Sequence, residues 1–550
     1  MHATSQIRFA VLCALLLAHP LTYAWGRTVG GLFPDSLSYL TLAGTLLHDG
    51  QLLLRGIGHV DIAQVLPPLY PLLIALGSLL VGDAVLVSQW ISGFALLLAT
   101  IPLYLWIERA SGPALAAAAV LTVQWQPGYR LFGTSTMTEG LFFLLLATLG
   151  YLASRTLAEP RQRLLPYLML GLLAALLVLA RQVGWFVLPT LLVFMILCRP
   201  AGGFRPLAVG VAAVVTTFTI VVGAYAAVLA AQGGSLPWVQ SIRMNHYVVR
   251  SEDPPESART GPVNGNYEAL YAQRRELRRL TPDATEMMGY LVHEPAVGSR
   301  PAAALASPGS WPGQLRDNLG HALKLLGPMT ATMALLGFML ALLPAPAGVR
   351  PYRIALPVML GGYLLVLSAT TGIISRYVDV MTPLLLGLAF LGVHIPAERL
   401  APRATRDPKA ATAIAAGAAL AIVMSVPGPL WENGWHPKIG EQYNPLRECR
   451  RWVTPGTGVF SLHPMEAYLV GGTTRFIPND GLDRIAEYAR RTGTGWLVFR
   501  QSQLTTDEAL VYGHAPWLSD LDQLIKNPNF TPRCASDDAT AVLFEIRGAR

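Results

Sequence analysis

The sequence predicts a polytopic α-helical membrane protein that ends in a small α/β domain. The 550-residue chain is 53% hydrophobic and only 13% charged, whereas soluble globular proteins carry about 25% charged residues. Apolar runs of roughly 20 residues, the length that a membrane-crossing helix needs, recur along most of the chain. The last stretch, about 428–550, instead alternates short apolar runs with polar turns, as small α/β domains do.

The apolar runs predict about eleven membrane-spanning helices. They lie at about 7–25, 85–107, 113–127, 137–154, 164–180, 183–198, 206–230, 321–344, 354–372, 378–396 and 410–427. The apolar run at about 66–81 is short and opens with Pro67 and Pro68, so we interpret it as a helix at the membrane interface. A membrane domain is therefore predicted over 1–427, with outer loops at about 26–84 and 231–320.

The basic residues of the short loops predict the orientation. If the N-terminus is cytoplasmic, most of them fall in cytoplasmic loops, as the positive-inside rule requires. These residues are Arg109, Arg155, Arg161, Arg163, Arg199, Arg205, Arg350, Arg353, Arg399, Arg403, Arg406 and Lys409. The net charge of +8 then follows from topology, and nucleic acid is not needed to explain it. The same orientation places the C-terminal domain outside the cytoplasm.

The C-terminal domain is predicted over 428–550. Short buried strands are expected near 459–462, 496–499 and 541–546, and a helix near 482–491. Cys449 and Cys534 lie in this region and could form a disulfide if it lies outside the cytoplasm. Cys13 and Cys198 lie in apolar stretches and are interpreted as packing residues.

Asp35 is the first candidate for chemistry. It follows the first span and is predicted to lie at the outer membrane face, where a carboxylate can act as general base on an acceptor hydroxyl. Tyr39 follows four residues later and shares its face if a helix begins at the acid, so the phenol could orient the carboxylate or hold a sugar or phosphate. The alternative is that Asp35 only caps a short helix that ends near Asp49 and Gly50.

Glu139 opens the fourth predicted span at the same outer face. An ionisable residue at a membrane boundary is costly to bury and is therefore a functional candidate. The alternative is a first-turn acid stabilised by the helix dipole, with Thr136 or Thr138 as the cap. Asp35 and Glu139 together could bind a divalent cation or share acid–base work, although no cofactor is required.

Two arginines lie on the outer side, against the usual charge bias. Arg181 separates the fifth and sixth spans, and Arg376, followed by Tyr377, separates the ninth and tenth. The planar guanidinium suits phosphate, so both arginines are candidate ligands of an anionic lipid-linked group. The alternative is that each side chain only snorkels to the lipid headgroups.

Weaker candidates for substrate contact are three residues of the outer loops, namely His59, Tyr70 and His246. The sequence contains no P-loop, no glycine-rich turn after a strand and no G-x-S-x-G elbow. Direct use of a cytosolic nucleotide is therefore not expected.

Five short motifs in this order resemble the GT-C superfamily of membrane glycosyltransferases, and in particular its bacterial ArnT-like and protein O-mannosyltransferase-like members. The motifs are Asp35–Tyr39, Pro67–Leu72, Met137–Glu139, Ala180–Arg181 and Ser375–Tyr377, within about 1–400. The resemblance implies inverting transfer of a sugar from a polyprenyl phosphate, such as undecaprenyl phosphate, at the periplasmic face of a bacterial inner membrane. It also implies that Asp35 is the base, that Glu139 holds the second acidic position and that Arg181 and Arg376 hold the phosphate.

The sequence also departs from the family pattern. Leu66 stands where relatives often have a basic residue or His, and Val87–Trp90 stands where an arginine often opens the second span, so the phosphate contacts could be redistributed. The acceptor could be a glycolipid, a cell-envelope glycan or a protein. Two other functions remain open: a lipid-linked sugar transporter, which would need polar residues at mid-membrane depth, and a non-catalytic envelope scaffold.

Overall fold

A computed structural model of the chain describes residues 2–25, 34–52, 67–159, 163–198, 204–232, a few positions within 313–320, 328–370, 381–404, 444–461, 464–477, 481–500, 520–535 and 541–549. The chain forms two compact units. The first unit comprises Met1–Gly30, Pro67–Ala231 and Leu305–Pro437, and the second comprises Gly31–Leu66, Gln232–Ala304 and Lys438–Arg550.

The described part of the first unit is helical. Its helices are α1 (His2–Trp25), α3 (Leu69–Val81), α4 (Ala84–Ser111), α5 (Pro113–Trp125), α6 (Pro127–Thr134), α7 (Glu139–Ala158), α8 (Leu164–Ala180), a 3₁₀ helix (Gln182–Phe186), α9 (Val187–Leu197), α10 (Phe204–Ala231), α11 (Pro328–Ala341), α12 (Arg350–Thr370) and α13 (Thr382–Ala404). Within the described ranges, α4, α7 and α10 are long and apolar enough to cross a membrane, and several shorter helices are also apolar. The predicted span at 410–427 lies outside the described residues, so the number of spans stays a prediction.

Helices α4 and α7 pack closely together in the first unit. Trp106 of α4 is fully buried, and its indole N–H donates to the Tyr352 carbonyl of α12 at 3.1 Å. Gly150 of α7 faces this ring, since a Cβ there would lie 2.2 Å from it. The glycine therefore permits a close approach of α7 to α4, and both helices contribute residues to the candidate site described below.

The predicted span at 113–127 differs from the structure at its end. Helix α5 stops at Trp125, because Gln126 is extended (φ −63°, ψ 129°) and Pro127 begins the separate helix α6. Proline disfavours a helical conformation in the residue before it but suits the first position of a new helix. The new helix places Arg130 so that Nη1 donates to the Thr22 carbonyl near the end of α1 at 2.9 Å.

The described part of the second unit contains α2 (Pro34–Asp49), a 3₁₀ helix (Asn444–Trp452), β1 (Gly458–Ser461), α14 (Pro464–Leu469), β2 (Thr473–Phe476), α15 (Leu482–Thr492), β3 (Trp496–Arg500), α16 (Leu521–Lys526), β4 (Phe530–Ala535) and β5 (Ala541–Ile546). The five strands form one sheet in the order β2-β1-β3-β5-β4. Strands β2, β1 and β3 are parallel, whereas β5 is antiparallel to both β3 and β4.

The strands expected near 459–462, 496–499 and 541–546 and the helix near 482–491 are present as β1, β3, β5 and α15. Strands β2 and β4 were not predicted, and both lie at the edges of the sheet. Edge strands bury less of their surface than central ones, so their sequences lack a long apolar run. Helix α2 packs against α14, so the helix that contains Asp35 is attached to the sheet region within this unit.

A disulfide joins Cys449 to Cys534, with the two Cα atoms 5.6 Å apart. The pairing that the sequence permitted is therefore present. The bond links the 3₁₀ helix Asn444–Trp452 to β4 across a sequence separation of 85 residues.

We expect Cys449→Ser with Cys534→Ser to lower the free energy of unfolding of the sheet region by about 4 kcal/mol, because the closed loop is long and its entropy is restored in the unfolded chain. The measurement is the denaturant midpoint of proteolytic cleavage within 444–549. Cys13→Ala, which removes a thiol that forms no disulfide, is the control. Equal midpoints for the double variant and the control would contradict the expectation.

Candidate active site

The site is centred on an ion pair between Glu139 and Arg181. Glu139 is the first residue of α7 and Arg181 follows the last residue of α8. These two consecutive helices pack side by side and run in opposite directions, so the start of one meets the end of the other. Arg181 Nη1 lies 2.8 Å from Glu139 Oε1, and the two side chains are 8% and 2% exposed. The contact is a close ion pair rather than a well-directed hydrogen bond.

The backbone around Arg181 is shaped to bring its side chain to this place. Helix α8 ends because Arg181 is extended (φ −157°, ψ 138°), and the 3₁₀ helix follows at once. A Cβ at Gly184 would lie 2.4 Å from the Leu177 carbonyl oxygen, so this turn folds tightly against the last turn of α8. A side chain at 184 would displace the turn and, with it, Arg181.

The burial of Arg181 argues against the interpretation that it snorkels to lipid headgroups. A snorkelling arginine keeps its charged end in water, whereas Arg181 is 7% exposed and contacts a carboxylate. A guanidinium offers five N–H donors, more than one carboxylate oxygen can accept. The arrangement is therefore compatible with a second anion on the same guanidinium.

A buried hydrogen-bond network lies beside the start of α7. The Tyr70 hydroxyl of α3 lies 2.9 Å from the Ser88 carbonyl and 2.8 Å from Ser92 Oγ, both in α4. Ser92 Oγ lies 2.9 Å from the Met137 carbonyl, and Ser88 Oγ lies 2.6 Å from Thr136 Oγ1. The network therefore ties α3 and α4 to the segment that immediately precedes Glu139.

Tyr70, Ser88, Ser92 and Thr136 are almost fully buried. The sequence predicts substrate contact for Tyr70 and gives no prediction for the two serines. Full burial of Tyr70 argues against direct contact with a substrate in this conformation. The spacing of the serines, one helical turn apart in a mostly apolar span, was the available signal.

Gly140 lies at the closest approach of α7 to α4. A Cβ at this position would be 2.7 Å from the Ser92 carbonyl oxygen, which is backbone and cannot rotate away. The glycine therefore sets the separation of the two helices next to Glu139.

We expect Gly140→Ala to lower the free energy of unfolding by about 1–3 kcal/mol, as overpacking does in tightly packed interiors. The thermal midpoint in detergent is the measurement. Gly223→Ala in α10 is the matched control, because a Cβ there meets nothing within 4 Å, and alanine raises helix propensity. A Gly140→Ala midpoint at or above that of Gly223→Ala would show that the approach is not tight.

Asp35 is the second residue of α2, so it lies in the first helical turn and not at the N-cap. The helix begins one residue earlier than the capping alternative expects, at Pro34, where proline fits the first helical position. Tyr39 follows within the same helix and is 7% exposed. Gly50 has a positive φ of 63° and ends the helix as predicted.

Several predicted site residues lie outside the described residues, namely His59, His246, Arg376 and Tyr377. Thr138 occupies the N-cap position of α7 but makes no side-chain capping hydrogen bond. Thr136 contacts Ser88. Neither threonine is therefore seen as the cap that the alternative interpretation of Glu139 expected.

The Glu139 carboxylate is a poor ligand for the divalent cation considered from the sequence. The Arg181 guanidinium lies 2.8 Å from Oε1, and its positive charge would repel a metal ion bound there. Within the described ranges, no group of three or more His, Cys, Asp or Glu side chains is placed to hold a metal ion.

The fold resembles that of two solved structures over nearly their whole length. ArnT from Cupriavidus metallidurans in the apo state matches with a TM-score of 0.50 and 12% identity, covering 100% of this chain and 99% of that one. The same protein bound to undecaprenyl phosphate matches with a TM-score of 0.50 and 12% identity, covering 98% of each chain. The oligosaccharyltransferase AglB from Archaeoglobus fulgidus has a TM-score of 0.49 at 11% identity, covering 96% of this chain and 73% of that one.

No family model matches the chain, and no curated protein matches it. At 12% identity the likeness to ArnT concerns the fold and leaves activity open. It agrees with the resemblance that the five sequence motifs carry. The chain therefore has a fold like that of ArnT, the fold that the resemblance to the GT-C superfamily predicts.

Proposed function

We propose that this protein is an inverting glycosyltransferase that moves a sugar from a polyprenyl-phosphate donor to an acceptor at the periplasmic face of a bacterial inner membrane. The observation that carries the proposal is the buried Glu139–Arg181 ion pair at one end of α7 and α8. A fold shared with ArnT, which has been solved with undecaprenyl phosphate bound, supports it.

Arg181 is the proposed ligand of the donor phosphate. As the sugar leaves, negative charge develops on the phosphate oxygen, and a guanidinium held in a dry site stabilises that charge more than water would. Glu139 keeps the guanidinium oriented before the donor binds. Arg376 and Tyr377 are proposed as further phosphate contacts, with the residues of the outer loops, His59 and His246, on the sugar or the acceptor.

Asp35 is the proposed general base, with Tyr39 orienting its carboxylate. Asp35 takes the proton of the acceptor hydroxyl while the hydroxyl oxygen attacks the anomeric carbon. The bond between that carbon and the phosphate oxygen breaks, and its electron pair leaves with the polyprenyl phosphate. Attack from the side opposite to the leaving group inverts the anomeric configuration.

The second unit is proposed to support the general base. Helix α2 contains Asp35 and packs against α14, next to the sheet that the Cys449–Cys534 disulfide stabilises. A base on a helix attached to a rigid sheet region keeps a defined position. The disulfide also supports the proposed placement of this region in the periplasm.

The test is sugar transfer by the purified full-length protein. Undecaprenyl-phosphate-linked pentoses, hexoses and amino sugars are supplied one at a time with an envelope lipid extract, and mass spectrometry follows the release of undecaprenyl phosphate and the mass gain of the acceptor. Release with one sugar class would support the proposal. Binding and membrane translocation of a donor without release would favour a transporter. Neither binding nor release with any donor would favour a scaffold.

A further inference from the structure

We propose that the Tyr70 hydroxyl is a positioning group that acts through Ser92 on the start of α7, and thereby holds Glu139 against Arg181. The inference rests on the proposed function for its kinetic consequence, while its structural consequence is independent of that function. Tyr70 is 0% exposed, so its proposed role does not involve direct contact with a substrate.

The hydroxyl protons of the network are fewer than its possible acceptors. Tyr70 and Ser92 each carry one hydroxyl proton. Their oxygens lie 2.8 Å apart, and Ser92 Oγ lies 2.9 Å from the Met137 carbonyl. Tyr70 donates to the Ser88 carbonyl at 2.9 Å and shares that proton with Ser92 Oγ, so the Ser92 proton is directed to the Met137 carbonyl. In this arrangement, Tyr70 directs the serine proton toward α7.

Without the Tyr70 hydroxyl, the Ser92 proton has another acceptor within its own helix. Ser92 Oγ lies 3.1 Å from the Ser88 carbonyl, the position four residues earlier, where serine hydroxyls in helices commonly donate. The Ser88 carbonyl also loses the hydrogen bond that Tyr70 donates to it at 2.9 Å, so it competes more strongly for the Ser92 proton. We therefore expect the serine to turn toward α4 and its bond to the Met137 carbonyl to weaken.

A second link between α4 and α7 does not depend on Tyr70. Ser88 Oγ lies 2.7 Å from the Val85 carbonyl and 2.6 Å from Thr136 Oγ1, so Thr136 donates to Ser88 and Ser88 donates to Val85. This link secures Thr136 but not Met137, which is two residues before Glu139. Loss of the Tyr70 hydroxyl should therefore loosen the start of α7 while the bundle stays folded.

The first test measures how accessible Glu139 is, without reference to activity. The full-length protein in detergent is treated with the apolar reagent dicyclohexylcarbodiimide, and labelling of the Glu139 peptide is quantified by mass spectrometry. We expect several-fold more labelling in Tyr70→Phe and in Ser92→Ala than in the native chain. Arg181→Gln, which removes the partner of Glu139, sets the upper limit.

Tyr104→Phe is the matched control. Tyr104 lies in α4, is 0% exposed like Tyr70, and its hydroxyl makes no hydrogen bond to the described part of the chain. We expect the Glu139 peptide to be labelled to the same extent in Tyr104→Phe as in the native chain. Native-level labelling in Tyr70→Phe, or equal increases in Tyr70→Phe and Tyr104→Phe, would overturn the proposal.

The second test separates positioning from general loss of stability. With an active donor, we expect Tyr70→Phe to lower kcat about tenfold, the order of effect of one lost hydrogen bond in an ordered network, while the donor KM changes far less. Tyr70→Phe combined with Ser92→Ala should be no slower than the slower single variant, because both changes break one path. If the losses in kcat of the two single variants added up in the double variant, Tyr70 would not act through Ser92, and the proposal would be overturned. If no donor is turned over, the proposed function is contradicted. The labelling result still decides whether Tyr70 positions Glu139.

Discussion

Asp35→Asn should leave a folded, membrane-inserted protein whose sugar transfer is at least about 100-fold slower. Asparagine keeps the shape of the side chain but cannot accept the acceptor proton at neutral pH, and general base catalysis contributes about 10²–10⁴-fold. Asp35 lies in the first turn of α2, so the lost charge costs the helix only about 0.3–1 kcal/mol through its dipole. The measurement is the initial rate of transfer with saturating donor and acceptor.

Asp49→Asn provides the matched control for Asp35→Asn. Asp49 is the last residue of the same helix and is exposed, so the substitution makes the same chemical change at the opposite end. It should leave the rate unchanged and be neutral or slightly stabilising, since a negative charge is unfavourable at a helix C-terminus. A native transfer rate in Asp35→Asn, with both variants folded, would remove Asp35 from the base role and direct the search to Glu139.

The sequence predicted most helices, because their apolar runs depend on local composition alone. It also placed Glu139 at the start of a helix and Arg181 between two helices, and short connections put those ends on one side. What it missed depends on contacts between distant residues. The Ser88–Thr136 and Ser92–Met137 contacts join positions 48 and 45 residues apart. A local sequence pattern cannot predict contacts between residues so far apart along the chain.

Arg181 illustrates how a residue can be identified correctly while its environment is not. A charged residue between two apolar spans was an evident candidate, and both phosphate binding and snorkelling fitted the sequence. The choice depends on whether the side chain meets a charged partner, and Glu139 lies 42 positions away along the chain. The sequence does not predict the tight turn at Gly184 that directs Arg181 inward either. Glycine is needed there because a Cβ would clash, and not because the backbone has a positive φ.

Arg181→Gln should lower the free energy of unfolding by about 3–5 kcal/mol, because it leaves the Glu139 carboxylate buried without the guanidinium. Arg155→Gln tests the same chemical change at a second ion pair. Arg155 Nε lies 2.8 Å from Glu159 Oε1, the same distance, but those side chains are 56% and 50% exposed. An exposed pair of this kind contributes at most about 1 kcal/mol. Denaturant midpoints in detergent for the two variants should therefore differ widely, and similar midpoints would contradict the burial argument.

Glu139→Gln combined with Arg181→Gln separates the structural role of the pair from its chemical role. Replacing both charges by amides removes the isolated buried carboxylate, so most of the stability lost in Arg181→Gln should return. Transfer should stay at least about 100-fold below native, since no guanidinium remains to stabilise the leaving phosphate. If the double variant regained both stability and transfer, Arg181 would serve only to neutralise Glu139. The phosphate would then have to be held by other residues, with Arg376 the first to test.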